Sequence, residues 1–274
     1  MKYLINWLVL LVGILFLCNL FSCTKTDINQ AYSDTPVIEG YLYPGKSFSV
    51  SIRRQIPFIE NAVISDDNIN QLIVQAEING TSHLLNSDGN GVYSNASIPI
   101  AENQTCTLIF TFNQKLVKAY TYIPSQPTGF KISTSSMTIA QIDTSSRPPS
   151  FPQMPDPITV SWDNADGSYY LITVENIETT LEAIRDFGDR APPGNVFRKT
   201  PTASNSEELR ANDFQYYGTH RILLHHVLPD YASLYNTNSS TSLNLTNPST
   251  SIDNGYGIFS GIYTDTLYIE IKKE

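Results

Sequence analysis

Three histidines stand close together in the sequence, at positions 220, 225 and 226, and imidazole is a common ligand of zinc and other metals. The apolar residues between them predict a strand from His220 to Val227. Because side chains alternate along a strand, His220 and His226 would lie on one face and His225 on the other. We therefore predict a solvated or hydrogen-bonded strand face and no metal site. A site that adds a remote carboxylate to His220 and His226 stays the open alternative.

The segment from Gly40 to Ser47 matches the phosphate-loop pattern G-x-x-x-x-G-K-S. A phosphate loop needs a helix directly after the serine, so that backbone amides and the helix end converge on the phosphate. Phe48 to Arg53 instead alternates between apolar and polar residues, which predicts a strand. Pro44-Gly45 is typical of a turn, so we predict a hairpin here and no nucleotide or other cofactor.

Other catalytic and metal-binding patterns are weak. Asp163 to Gly167 is rich in oxygen ligands, but their spacing does not alternate as in a calcium loop and no glutamate closes it, so a plain turn is favoured. The sequence contains neither G-x-S-x-G nor H-E-x-x-H, and we predict no catalytic residue. The open alternative is a glycan or peptide hydrolase that uses two carboxylates in the loops at 190–230, because their separation is set only in space.

Two pairs of tyrosines are candidates for a ligand surface: Tyr216 with Tyr217, and Tyr231 with Tyr235. Tyrosine offers a large contact area with a polar tip, which suits a glycan or a protein partner. Packing in the core is the alternative, and it is the more frequent position of tyrosines in a sandwich.

The first 23 residues have the layout of a secretory signal. Lys2 provides a basic start, Leu8 to Leu17 is an almost unbroken apolar run, and a small residue, Ser22, precedes Cys23. The Leu-Phe-Ser-Cys ending resembles a bacterial lipoprotein box, which implies cleavage before Cys23 and attachment of acyl chains such as palmitate to that residue. Residues 1–22 are then the signal peptide, and residues 23–35 are the lipidated cysteine and a polar tether.

An uncleaved membrane anchor is the alternative, because Ile5 to Phe21 approaches the about 18 apolar residues that span a bilayer. Asn6 and Asn19 within the run argue against it. Several acyl chains on Cys23 would hold the protein to a membrane almost permanently, since each buried CH₂ contributes about 0.8 kcal/mol.

Composition excludes one class of partner. Without the signal peptide the chain has 16 basic and 26 acidic residues, a formal charge of −10, and nucleic-acid binding requires basic patches. Abundant Tyr, Thr, Ser and Asn favour extracytoplasmic β structure. Cys106 would lie in a strand without a disulfide partner, and we predict a buried, unreactive thiol.

Residues 36–125 predict a first β-sandwich. Short strands follow one another with turns between them, and Asn79-Gly80 is the strongest of the hairpin signals. Pro124, Pro127 and Gly129 then interrupt the pattern, so we predict a domain boundary there.

Residues 126–274 predict a second sandwich with long loop insertions. Trp162 followed by Tyr169-Tyr170 resembles the early strands of a fibronectin type III domain. A short helix is predicted from Asn176 to Gly188, because asparagine suits an N-cap and apolar residues share one face. Residues 190–212 read as irregular, and two strands, Tyr256 to Phe259 and Leu267 to Ile271, would close an all-β fold of two immunoglobulin or fibronectin-like sandwiches.

Four strand and turn signatures are spread along the chain: Val37 to Tyr41, Ile123-Pro124, Trp162 with Tyr169-Tyr170, and Asn254 to Gly261. In these signatures the chain resembles the envelope lipoproteins of Bacteroidota grouped as domain of unknown function 4249. The resemblance implies an outer-membrane lipoprotein that is often found with TonB-dependent receptors, and it transfers no catalytic residue. Asp265-Thr266-Leu267 resembles a Bacteroidota O-glycosylation sequon, with Thr266 as the modified residue on an exposed edge before the closing strand.

Together these features predict an outer-membrane lipoprotein that acts as a non-enzymatic binding or accessory module, for a TonB-dependent receptor or a glycan. A hydrolase with a site at 190–230 and a structural component of the envelope are the alternatives.

Overall fold

A computed structural model of the chain describes residues 34–55, 69–141, 153–185, 194–235 and 251–274. Their regular structure is almost entirely β-strand, which confirms the predicted all-β sandwich class. The predicted signal peptide and Cys23 lie outside the described residues.

The N-terminal part contains short strands, and the one predicted from Phe48 to Arg53 does alternate between buried and more exposed residues. They are β1 (Pro36–Leu42), β2 (Phe48–Arg54), β3 (Gln75–Ile78), β4 (Thr81–Leu84), β5 (Asn86–Gly89), β6 (Val92–Asn95), β7 (Thr105–Phe112) and β8 (Lys115–Tyr122), with a 3₁₀ turn at Ile69–Gln71. The predicted hairpin at Asn79-Gly80 is confirmed, with φ angles of 47° and 84° that suit the tight turn between two strands.

The C-terminal part contains longer strands and one described helix. Its elements are β9 (Lys131–Ile132), β10 (Ser136–Ile139), β11 (Ile158–Ser161), β12 (Tyr169–Asn176), β13 (Val196–Arg198), β14 (Ser206–Leu209), β15 (Gly218–Val227), α1 (Pro229–Ser233), β16 (Ile252–Asp253) and β17 (Tyr256–Lys273), with a 3₁₀ turn at Ala211–Asp213. Among the residues described, no helix is both long enough and apolar enough to cross a membrane.

The helix predicted from Asn176 to Gly188 is wrong: β12 continues to Asn176, and residues 177–185 are not helical. Asn176 does accept a hydrogen bond from the Glu178 N–H, as an N-cap would. However, its side chain is buried and its Nδ2 donates to the Tyr217 carbonyl at 2.9 Å. Ala183 then forms a bridge to Tyr216, and the Tyr217 N–H donates to the Glu182 carbonyl, so tertiary contacts hold this segment against the residues that precede β15.

Two other expectations need correction. The segment at 190–212 contains β13 and β14, which add to the edges of two sheets. The two closing strands are one strand, β17, which runs without interruption for 18 residues.

Three sheets are formed among the described residues. The central sheet has the order β13-β12-β15-β17-β1-β2-β6-β5, and β10 also pairs with β17. The first covering sheet has the order β16-β8-β7-β3-β4, and the second has the order β14-β11-β9. β17 pairs in parallel with β1 over Tyr256 to Gly261 and antiparallel with β15 from Ile262 to Ile271, so it joins the two parts of the chain.

Each covering sheet encloses its own core against the central sheet. The first core contains Ile38, Leu108 and Phe259, and the second contains Trp162 and Ile269. Phe259 and Ile269 both lie on β17 and an even number of residues apart, so both cores lie on the same face of the central sheet. The division into two domains near residue 125 stays a prediction.

Gly261 lies where β17 passes closest to the first covering sheet. Its N–H donates to Thr121 Oγ1 at 2.8 Å, and a Cβ at this position would overlap the Tyr122 carbonyl oxygen. Because the obstacle is backbone, it cannot rotate away as a side chain would.

We predict that Gly261→Ala lowers the free energy of unfolding by about 3 kcal/mol or more, because the added methyl group forces the β17 and β8 backbones apart. Urea unfolding followed by tryptophan fluorescence measures the loss. Gly194→Ala is the matched control, since no atom lies within 4 Å of a Cβ there. Equal stability of the two variants would contradict the close approach.

Candidate functional site

The central sheet has a second face, opposite the two cores, and we refer to it as the outer face. Tyr41 lies on it, because its neighbour Gly40 faces Phe259 in the first core. Residues paired across neighbouring strands share a face, so Ile262 and Val227 lie together on one face. By the same rule Arg198 shares a face with its β12 partner Thr173.

A small apolar cluster forms the floor of the outer face. Leu171, Val227 and Ile262, on β12, β15 and β17, are at most 3 % exposed. Tyr41 and Tyr231 pack on them together with Tyr43. We name the group of Tyr41, Tyr43, Tyr231 and Tyr235 the tyrosine cluster.

Helix α1 brings two of these tyrosines over the sheet. Pro229 at its first position favours a helix start directly after β15. Ser260 Oγ on β17 donates to Asp230 Oδ1 at 3.1 Å, which holds the helix on the outer face. The Tyr231 ring lies 5.9 Å from that of Tyr41 at 78°, and 5.9 Å from that of Tyr235. The Tyr231 and Tyr235 hydroxyls are 3.5 Å apart.

Arg198 supplies the positive charge beside the tyrosine cluster. Its side chain is exposed, and within the described residues no carboxylate lies at ion-pair distance from it. Arg221, on the same face, does form an ion pair: Glu175 Oε2 lies 2.6 Å from Arg221 Nη2. Burial raises the pKa of Tyr43 and Tyr231, and the nearby Arg198 charge opposes this rise. Arg198 pairs with Thr173 on β12, and Thr173 lies two residues from Leu171 in the apolar floor, so Arg198 lies beside this floor on the same face.

His225 also lies on the outer face, where its side chain contacts two threonines. Its Nδ1 is 2.8 Å from Thr264 Oγ1 and its Nε2 is 3.1 Å from Thr173 Oγ1. Burial and, secondarily, the Arg198 charge lower the pKa of His225 to about 4. The imidazole is therefore neutral at physiological pH.

The prediction that His220 and His226 occupy the other face is confirmed. The His220 ring packs edge-on against the Phe214 ring, and His220 Nδ1 lies 3.0 Å from the Gly218 carbonyl oxygen. His226 stacks on Tyr170 at 4.7 Å. Among the described residues no group of three or more His, Cys, Asp or Glu side chains is arranged to hold a metal ion.

The sequence model of the family described as "Domain of unknown function (DUF4249)" matches residues 24–267. The chain belongs to this family. A comparison with curated proteins found no match. The family description names no activity, so the arrangement of the residues carries the functional argument for this DUF4249 protein.

Two signatures that carried the family resemblance have structural roles. Trp162 is buried with its ring 5.5 Å from that of Tyr170, in the second core. Asn254 and Gly257 have φ angles of 58° and 112°, and they lead the chain into β17 where a Cβ at Gly257 would overlap the Ile38 carbonyl.

The first tyrosine pair does not form a surface. Tyr216 and Tyr217 are 3 % and 5 % exposed, and the Tyr217 hydroxyl donates to the Ile139 carbonyl at 3.1 Å. Both are therefore buried, and Tyr217 packs in the second core. Only Tyr231 and Tyr235 of the four candidates lie together at the outer face.

Thr266 lies in the middle of β17, opposite Leu223 of β15, and it is half-buried. It does not precede the closing strand as expected, because β17 is continuous through this position. Modification of Thr266 stays a prediction.

The remaining motifs have simple structural explanations. The Lys46 N–H donates to the Tyr43 carbonyl at 3.1 Å, and β2 follows directly, so the phosphate-loop pattern is a turn. The Ser168 N–H donates to Asp166 Oδ1 in the turn before β12. Cys106 is buried on β7, and burial raises the pKa of its thiol to about 12.

The acidic side chains described between β13 and α1 lie close to cations. Glu207 and Asp213 both lie near Lys199 Nζ, at 3.4 and 3.6 Å. Glu208 Oε2 lies 3.1 Å from Arg210 Nη2. Asp230, the next acidic residue, accepts a hydrogen bond from Ser260 Oγ. A hydrolase site in the loops at 190–230 stays a prediction.

Sequence reasoning missed Tyr41, Tyr43 and Arg198. Alternation along β1 already places Tyr41 opposite the buried Ile38 and Leu42, which was a usable signal. No local signal marks Arg198, because β13 is three residues long and its partner strand lies more than 20 residues earlier in the sequence.

We predict that the free energy of unfolding falls as the pH drops from about 6.5 to 4, by on the order of 3 kcal/mol from His225. In this window the unfolded imidazole binds a proton and the folded one does not, so acid favours unfolding. His225→Gln should flatten the pH dependence, as measured by urea unfolding at a series of pH values.

His83→Gln is the control for this series, since His83 lies on β4, away from the outer face. Its pH dependence should follow that of the wild type. Parallel curves for the wild type and His225→Gln would contradict a neutral, buried His225.

Proposed function

We propose that this DUF4249 protein is an outer-membrane lipoprotein, anchored through acyl chains on Cys23, that acts as a non-enzymatic binding or accessory module. The observation that carries the proposal is the tyrosine cluster on the outer face, with Arg198 beside its apolar floor on the neighbouring strand β13. A TonB-dependent receptor in nutrient uptake is the partner that the family resemblance favours.

Support for the anchor comes from the N-terminal sequence. The basic start, apolar run and Ser22-Cys23 junction suit cleavage before Cys23. The family match begins at residue 24, directly after the proposed lipidated residue. A polar stretch then separates Cys23 from β1, which would let the sheets stand away from the membrane.

The tyrosine cluster has the composition of a contact surface. Tyrosines bury a large area with little loss of side-chain freedom, and tyrosine and arginine are enriched where binding energy concentrates. Burial raises the pKa of Tyr41 and Tyr231, so their hydroxyls stay protonated at physiological pH and both donate and accept hydrogen bonds. The buried floor under the rings fixes their positions before a partner arrives, which lowers the entropy lost on binding.

We predict that the tagged full-length protein, purified from gently solubilised native membranes, recovers an outer-membrane receptor in near-equal amount. Cys23→Ala should abolish the recovery by removing the anchor. Tyr235→Ala should reduce it about tenfold or more while leaving the protein in the membrane, because a central aromatic contact is lost. Quantitative mass spectrometry of the purified material measures both effects.

Tyr268→Ala is the matched control, because Tyr268 is an exposed tyrosine on β17, well separated in the strand from Ile262 and the tyrosine cluster. It should recover the receptor as the wild type does. A wild-type sample without any stoichiometric partner, or equal losses from Tyr235→Ala and Tyr268→Ala, would contradict the proposal.

A further inference from the structure

We infer that the tyrosine cluster and Arg198 bind an oligosaccharide that carries a carboxylate, with the carboxylate on Arg198 and the sugar rings on the tyrosines. This inference rests on the proposed function, since it names the ligand of the same surface. It goes further by assigning a ligand class and an orientation.

The rings of the tyrosine cluster are partly buried above the apolar floor and differ in orientation. Tyr41 and Tyr231 stand nearly perpendicular, at 78°, and Tyr235 continues the row at 41° to Tyr231. A pyranose ring has an apolar face of C–H groups that packs on an aromatic ring, and hydroxyls around its edge. The hydroxyls of Tyr231 and Tyr235, 3.5 Å apart, would meet that edge as both donors and acceptors.

Arg198 selects for a negative charge. A guanidinium presents a planar fork that matches both oxygens of a carboxylate. On the same face Arg221 forms an ion pair with Glu175, whose Oε2 lies 2.6 Å from Arg221 Nη2. Arg198 has no such partner among the described residues, although its charge acts on Tyr41, Tyr43 and His225.

The charges around the site set the orientation of the ligand. His225 is neutral at physiological pH, so it neither adds to nor opposes the Arg198 charge. Glu39 lies two residues before Tyr41 on the outer face, and its charge raises the pKa of Tyr41 after the larger effect of burial. A ligand carboxylate would therefore avoid the Tyr41 end and lie at the Arg198 end.

A sugar fits this surface better than a peptide strand does. Extended peptides bind by adding to a free sheet edge, where backbone groups are unpaired. The floor residues Leu171, Val227 and Ile262 lie on β12, β15 and β17, and each of these strands is paired with a strand on both sides. The tyrosine cluster therefore lies on a face of the central sheet and not at a free edge. Ring stacking and side-chain hydrogen bonds are the interactions that a face can offer.

The test is isothermal titration of the full-length protein, purified in detergent, with a panel of oligosaccharides. The panel contains galacturonate, glucuronate and mannuronate oligosaccharides, their methyl esters and neutral oligosaccharides of equal length. We expect at least one carboxylated member to bind about ten- to a hundredfold more tightly than its methyl ester, since the ester lacks the charge that Arg198 contacts.

Variants separate the contribution of the charge from that of the rings. Arg198→Gln should bring the affinity for the acid down to that for the ester. Tyr235→Ala should weaken the binding of both forms. Arg53→Gln is the control, because Arg53 is an exposed arginine on β2 that lies outside the tyrosine cluster, and it should bind as the wild type does.

The inference is overturned if no carboxylated oligosaccharide in the panel binds at millimolar concentration. Equal affinities for acid and ester, or an unchanged preference in Arg198→Gln, would overturn it as well. Because receptor recovery is measured separately, a protein that keeps its receptor and binds no sugar acid would refute this inference and leave the proposed function standing.

Discussion

One strand, β17, is the constraint on which the rest of the structure depends. It pairs with β1 at its start and with β15 and β10 further on, so strands distant in sequence become one sheet. The backbone contact at Gly261, beneath the Tyr122 carbonyl, holds the first covering sheet against it. Neither core could close without β17, because Phe259 belongs to one and Ile269 to the other.

The candidate ligand surface follows from the same strand. Both cores use one face of the central sheet, so side chains that alternate with Phe259 along β17 point to the opposite face. Ser260 holds α1 there, Ile262 lies in the apolar floor, and Thr264 lies beside His225. A sheet whose polar and aromatic residues are held this way gives a fixed surface, and fixed contacts lose little entropy when a ligand binds.

Local patterns predicted much of this fold. The turn at Asn79-Gly80 and the alternation of His220, His225 and His226 depend on neighbours in the sequence, and both are confirmed. The helix at 176 was wrong because a distant contact, to Tyr217, outweighs a correct local cap. Tyr231 and Tyr235 were found from their residue type, whereas Arg198 joins them only through pairing between distant strands, which no local pattern contains.

The central claim is that the outer face meets the ligand or partner, and photocrosslinking in native membranes tests it most directly. Photoreactive benzoylphenylalanine would replace Tyr235 in one variant and Tyr120, an exposed tyrosine on β8 of the first covering sheet, in another. We predict a discrete adduct from position 235 and none from position 120. An adduct from position 120 alone would move the contact surface to the opposite side of the molecule and contradict the claim.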